Sequence, residues 1–130
     1  MRRIVFIILL SFVHDTYGQE LDHDRLQQAI IFRSDNSVWL ESDIKLDHRF
    51  FGYEKPDTTS GKLILFSVFT PDVEDNPYHC PLGAYYGMSG VPGKLHSMAR
   101  QGSFVKIRYS ANYGSGPKYF YFEKKWVQFK

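Results

Sequence analysis

Ser103-Phe104-Val105-Lys106-Ile107-Arg108-Tyr109, followed by a turn from Asn112 to Pro117 and then by Lys118-Tyr119-Phe120-Tyr121-Phe122-Glu123, is the stretch that decides the fold class. Val105, Ile107 and Tyr109 alternate with Lys106 and Arg108. Successive side chains of a strand point to opposite faces, so this alternation predicts one buried face and one wet face. Gly114, Gly116 and Pro117 punctuate the chain before the aromatic run from Lys118 to Glu123 returns as a second strand. The C-terminal third is therefore expected to be a β-hairpin, with Trp126, Val127 and Phe129 finishing the chain.

Working back from that pair, Lys62 to Thr70 reads as a strand with both faces largely apolar. Leu63, Leu65 and Ser67 face one way, and Ile64, Phe66 and Val68 the other, which predicts a central position. Pro71 ends it, because proline has no N–H to give to a ladder. Ala84 to Met88 is a further candidate strand, and Gly83 is expected to let the chain turn into it. Ile44 and Leu46 alternate with Lys45 and Asp47 as another short one. Phe50 to Ser60, carrying Gly52 and Pro56, reads as a loop, and Leu95 to Ala99 as one helical turn. Glu20 to Arg33 is the one candidate helix, with Leu26, Ala29, Ile30 and Arg33 at three- and four-residue steps and Asp22 or Asp24 able to cap its first turn. A β-hairpin formed by Ala29 to Phe32, the turn cluster Ser34-Asp35-Asn36-Ser37 and Val38-Trp39-Leu40 is equally compatible with the pattern.

The N-terminus reads as an export signal. Met1-Arg2-Arg3 is positive, Ile4 to Val13 is apolar, and Thr16-Tyr17-Gly18 places small residues one and three positions before a cut. A run of ten apolar residues is well short of the roughly 20 needed to span a bilayer, so no membrane span is expected in the mature chain. The expectation is a signal peptide over 1–18, a single domain over 19–130, and an exported product, periplasmic or secreted. Cleavage removes Arg2, Arg3 and Asp15, turning 16 basic and 14 acidic residues into 14 and 13, a net +1. Nucleic acid is disfavoured by that near-neutral balance and by export.

Aromatic residues make up 17 % of the chain, which favours pleated, half-buried surfaces and a mainly β class, with α+β left open. The expected architecture is a small antiparallel barrel or curled sheet, with one N-terminal helix and the C-terminal hairpin. By size and strand count the oligonucleotide/oligosaccharide-binding (OB-like) barrel is the nearest arrangement. The sequence contains one cysteine, Cys80, so no intramolecular disulfide can form and packing alone must hold an exported domain together.

Thr70 to Tyr86 is the most unusual segment, a connection with three prolines between two candidate core strands, and long rigid loops are favoured places for function. Three chemistries compete there. Asp72, Glu74, Asp75 and Asn76 offer four oxygen-bearing side chains for Ca²⁺, although Pro77 stands where an EF-hand loop needs glycine, and a solvated acidic turn is the commoner outcome. No cofactor is otherwise expected. His79 and Cys80 suggest a thiolate with a histidine base, but adjacent side chains point apart in extended backbone, so a catalytic pair would need His48 or His96 brought close. A buried cysteine acting as a small hydrophobe competes with that reading.

The third chemistry is stacking. Tyr78, Tyr85, Tyr86, Tyr109 and Tyr119, with Lys106 and Arg108, could take the flat face of a ligand while cations fix its orientation. An aromatic core with Lys and Arg outside is the alternative. Together these features lead to a non-enzymatic exported module that binds a glycan or a protein partner through the 70–86 loop and nearby tyrosines. A small thiol enzyme centred on Cys80 and a structural adaptor of the cell envelope are the competing functions.

Overall fold

The alternation at the C-terminus translates directly into burial in a computed structural model that describes residues 29–41, 49–87, 89–114 and 116–130. The segment expected as a signal peptide, residues 20–28 of the candidate helix, the expected Ile44 to Leu46 strand, His48 and Met88 lie outside the described residues. Among the described residues, nine strands, one short helix and one 3-10 turn make a mainly β fold: β1 (Ala29–Ile31), β2 (Val38–Leu40), β3 (Phe50–Tyr53), β4 (Lys62–Ser67), α1 (Thr70–Asp75), β5 (Ala84–Tyr86), β6 (Gly93–Gln101), β7 (Phe104–Ala111), β8 (Lys118–Glu123), the 3-10 turn Lys124–Trp126, and β9 (Val127–Phe129). Among the described residues no helix is long and apolar enough to cross a membrane.

Six strands form one sheet in the order β5-β4-β3-β8-β7-β6, and three form a second in the order β2-β1-β9. β7 and β8 pair antiparallel from Phe104↔Glu123 to Tyr109↔Lys118. That register puts Val105, Ile107, Phe120 and Phe122 on one face, all fully buried, and leaves Lys106, Arg108, Tyr119 and Tyr121 on the other. On the inner face these residues join Phe50, Ile64, Phe66, Leu95 and Tyr109, and Ala29 and Ile31 of the small sheet pack against them. Phe50 and Phe122 have ring centroids 4.3 Å apart, and Phe120 and Phe122 5.2 Å, so the core is built from tilted aromatic contacts. β4 has two ladder neighbours, as its doubly apolar pattern requires.

Several expectations are corrected. The strands do not close into a barrel, and the sheets are mixed rather than purely antiparallel, because β4 pairs β5 and β1 pairs β9 in parallel. The two sheets meet instead at a single antiparallel bridge, Ser37↔His96, supported by the Ser97 N–H donating to the Asn36 carbonyl at 2.8 Å. Of the two readings open for Ala29 to Leu40, the hairpin holds and the helix does not extend into Ala29 to Ile31, which pairs with β2 from Ala29↔Leu40 to Ile31↔Val38. The connecting turn is secured by the Asn36 N–H on the Phe32 carbonyl and the Ser37 N–H on Asp35 Oδ1. Leu95 to Ala99 is not a helical turn but the middle of β6, where a register shift between Ser97 and Ala99 breaks the alternation that would have revealed it.

Phe50 to Tyr53 is likewise a strand, and Gly52 is why it read as loop. A Cβ there would sit 2.5 Å from Ile64 Cγ2 and from Phe120 Cδ2, so only glycine lets the ring of Phe120 lie against this backbone. Gly83, at φ +98°, does turn the chain into β5 in a conformation that side-chain-bearing residues avoid.

Candidate functional site

The 70–86 connection is tied down by its own unusual residues. Pro71 occupies the first turn of α1, where its missing N–H costs nothing. Asp72 is buried, and its Oδ2 accepts from Ser67 Oγ at 2.6 Å and from Arg49 Nε at 2.7 Å. The Arg49 guanidinium in turn lies over the rings of Phe69 at 5.2 Å and Tyr78 at 5.9 Å. Asn76 ends the helix in the left-handed region at φ 44°, donates from Nδ2 to the Cys80 carbonyl and accepts the Cys80 N–H on Oδ1, both at 3.0 Å. The connection thus folds down over the outer side of β4 and β5.

These contacts decide what the loop can do chemically. Asp72 points inward, Asn76 is spent on backbone, and Glu74 and Asp75 are exposed to solvent. Among the described residues no group of three or more His, Cys, Asp and Glu is gathered where it could hold a metal ion. Cys80 is 3 % exposed, and burial pushes its thiol up from the ordinary value, with Lys62 opposing the shift. His79 is exposed at φ 52°, and no hydrogen bond among the described residues joins the sulfur to an imidazole. A nucleophilic cysteine needs the opposite surroundings, open and electropositive.

The tyrosines divide. Tyr109 is 5 % exposed within the core, and burial raises its hydroxyl above the ordinary range. Tyr85 is half-buried, with its hydroxyl donating to the Leu82 carbonyl at 2.9 Å. Tyr86 and Tyr78 reach solvent, but Tyr86 bonds Thr70 Oγ1 at 3.2 Å and Tyr78 packs edge-on against Phe51 at 5.0 Å. Tyr119 is 43 % exposed on the outer face of β8, with Lys106 Nζ 4.9 Å from its ring centroid.

Register brings Tyr119 together with residues far away in sequence. Ser37 stands opposite His96, His96 opposite Arg108 and Arg108 opposite Tyr119, so four side chains form a row across β6, β7, β8 and the start of β2 on one face. Directly opposed residues carry Cβ atoms about 4.5–5.5 Å apart, close enough to act on one ligand group. Lys106 and Tyr121, also opposed, form the next row. The structure therefore gathers Lys106, Arg108 and Tyr119 of the expected stacking set, and leaves Tyr78, Tyr85, Tyr86 and Tyr109 elsewhere.

At the His96 end the row opens into a cleft of about 570 Å³, between β2, the Ser89 to Val91 loop and β6. Its walls include Val38, Leu40 and Leu95, with Asp35, Ser37, Lys94 and His96 as polar groups and Trp39 beside them. Trp39 is 65 % exposed, with Phe32 edge-on to it at 6.4 Å. That volume falls in the range of small-ligand sites, roughly 300–1,000 Å³. The cleft exists because β2 and β6 pair at one bridge and then part. Gly93 has no room for a Cβ, which would strike the Ser110 carbonyl and the Tyr109 ring, so β6 lies tight on β7 there and turns its other edge to the cleft. Trp39, Ser37 and Lys94 were not singled out from the sequence; the alternation Ser37-Val38-Trp39-Leu40, read as a strand, places Trp39 opposite the two aliphatic residues and was the available signal.

No family model, no curated protein and no solved structure matches this chain.

Proposed function

We propose that this chain is an exported, non-enzymatic binding module that takes a glycan on the outer face of β6, β7 and β8 and in the adjoining cleft. The observation that carries this reading is the exposed Tyr119 ring on a rigid sheet, with Lys106 against it and Arg108 opposite. A sugar has a flat apolar face that stacks on an aromatic ring and a rim of hydroxyls that accept from cations. Strand-borne side chains hold such a geometry better than loop residues, because their backbone is fixed by a ladder. The 70–86 connection serves this module as a clamp on β4 and β5, since its polar groups are turned to its own backbone and to Ser67 and Arg49. Its exposed Tyr78 lies on the β3 to β5 side of the molecule.

Isothermal calorimetry with a panel of neutral and acidic oligosaccharides tests the reading. Tyr119→Ala is expected to weaken binding about 10-fold, the value of one lost aromatic stacking contact. No binding by the wild-type chain at millimolar ligand, or an unchanged affinity in Tyr119→Ala, would refute it.

A further inference from the structure

His96 and Arg108, directly opposite one another in the row, share a feature found at no other side chains among the described residues. His96 Nδ1 and Arg108 Nε are buried, and neither has a hydrogen-bond partner. Buried polar atoms find partners in the great majority of cases, so two orphans on opposed residues leave a hydrogen-bond demand that the described residues do not meet. Arginine Nε–H can only donate, and a ring nitrogen of histidine donates in one of its tautomers.

Two carboxylates of the described residues, Asp35 and Glu123, accept hydrogen bonds from other groups. Asp35 Oδ1 takes the Ser37 N–H at 2.9 Å, and hydrogen bonds from Ser37, followed by the charge of His96, hold its carboxyl below the ordinary range. Glu123 Oε2 takes Trp126 Nε1 at 2.9 Å, and its Oε1 lies 3.7 Å from Lys125 Nζ. Among the described residues no acceptor meets His96 Nδ1 or Arg108 Nε, which leaves the place to a group from outside. A planar carboxylate with two oxygens matches two N–H donors on opposed residues, and such bonds are the strong, charge-assisted kind.

We propose that His96 and Arg108 form an anion subsite that takes the carboxylate of an acidic sugar, with the ring entering the cleft beside Trp39. This inference rests on the glycan-binding reading and names the class of glycan: one bearing uronic acid residues. His96 belongs both to the row and to the cleft wall, so a carboxylate held there places its sugar ring at the mouth of the cleft. Lys94, on the same wall, adds a second positive charge along the path.

Calorimetry on the folded full chain, with an oligogalacturonate and its methyl ester as probes, separates charge from sugar shape. Sodium acetate and inorganic phosphate serve as sugar-free anions. The expected result is at least about 10-fold tighter binding of the oligouronate than of its ester, from charge-assisted hydrogen bonds that the ester cannot make. High salt should shrink that preference, and Arg108→Gln should collapse it toward unity. His96→Gln provides a second variant should Arg108→Gln fail to fold, as judged by circular dichroism. Equal affinities in the wild-type chain, or a preference that survives both substitutions, would overturn the anion subsite while leaving glycan binding standing. Acetate or phosphate binding as tightly as the oligouronate would overturn the sugar assignment. Binding of neither oligosaccharide would overturn this inference, and the glycan reading with it when the neutral oligosaccharides of the panel also fail to bind.

Discussion

Removing the carboxylate of Asp72 should cost more stability than any other change in the 70–86 connection. Its Oδ2 receives two donors, Ser67 Oγ at 2.6 Å and Arg49 Nε at 2.7 Å, and its side chain is 6 % exposed while that of Arg49 is 40 % exposed. The two contacts differ in weight. In Asp72→Ala the buried Ser67 hydroxyl loses a charged acceptor with no water to replace it, at a cost of about 1–3 kcal/mol. Arg49 recovers much of its interaction from solvent and stays over Phe69, so its share is discounted to about 0.5 kcal/mol. The sum is about 1.5–3.5 kcal/mol, which for a domain of this size lowers the thermal midpoint by roughly 10 °C. Urea unfolding followed by circular dichroism measures the free energy. A double-mutant cycle with Ser67→Ala isolates the buried pair and should return a coupling of about 1 kcal/mol or more. A loss within about 0.5 kcal/mol of wild type, the usual range for an uninvolved surface position, would refute the clamp.

Two further predictions test the core and the thiol. Gly52→Ala should destabilise by about 1–3 kcal/mol, because the added methyl must displace Ile64 or the Phe120 ring; an unchanged urea midpoint would contradict that packing. Cys80 should react with a thiol reagent only as fast as the protein opens, and unfolding in urea should release it. Burial raises the folded pKa of this thiol above its unfolded value of about 8.5, so its contribution to stability is complete below that pH and is lost as pH rises through the folded value. Cys80→Ala should therefore flatten the alkaline limb of the stability profile. An equally steep limb in the variant would assign that limb to other groups, such as Tyr53 and Tyr109, whose hydroxyls burial also raises.

The parts of the fold legible in the sequence are those whose signal is local. β7 and β8 announce themselves because each alternation of Lys, Arg or Tyr with an aliphatic or aromatic residue runs unbroken, and β4 because both of its faces are apolar. Where the strand rule is broken by packing, the reading fails. The register shift between Ser97 and Ala99 puts Ser97, Met98 and Ala99 out of phase with Leu95, so β6 looked helical. Gly52 weakens β3 by itself, yet the Phe120 ring that makes it necessary belongs to a strand far along the chain. Closure into a barrel was expected from strand count, which carries no information about which edges meet. The Ser37↔His96 bridge, the isolated one among the described residues, depends on pairing between distant segments.

The same distinction explains why the eye-catching segment and the proposed site are different places. Covering β4 and β5 without a ladder demands special residues: a proline to open a short helix, a buried carboxylate to hold it, an asparagine tolerating left-handed backbone, and a small apolar cysteine to fill the gap beneath. Those needs alone produce the odd composition of Thr70 to Tyr86. A binding face on a sheet demands nothing unusual in sequence, since Ser37, His96, Arg108 and Tyr119 are each ordinary on an outward strand position. The proposed site assembles only through register, which opposes two residues each with a buried nitrogen lacking a hydrogen-bond partner among the described residues. In a chain of this kind, rare composition reports the cost of local backbone geometry, whereas an unmet hydrogen-bond demand on aligned strands reports a place for a ligand.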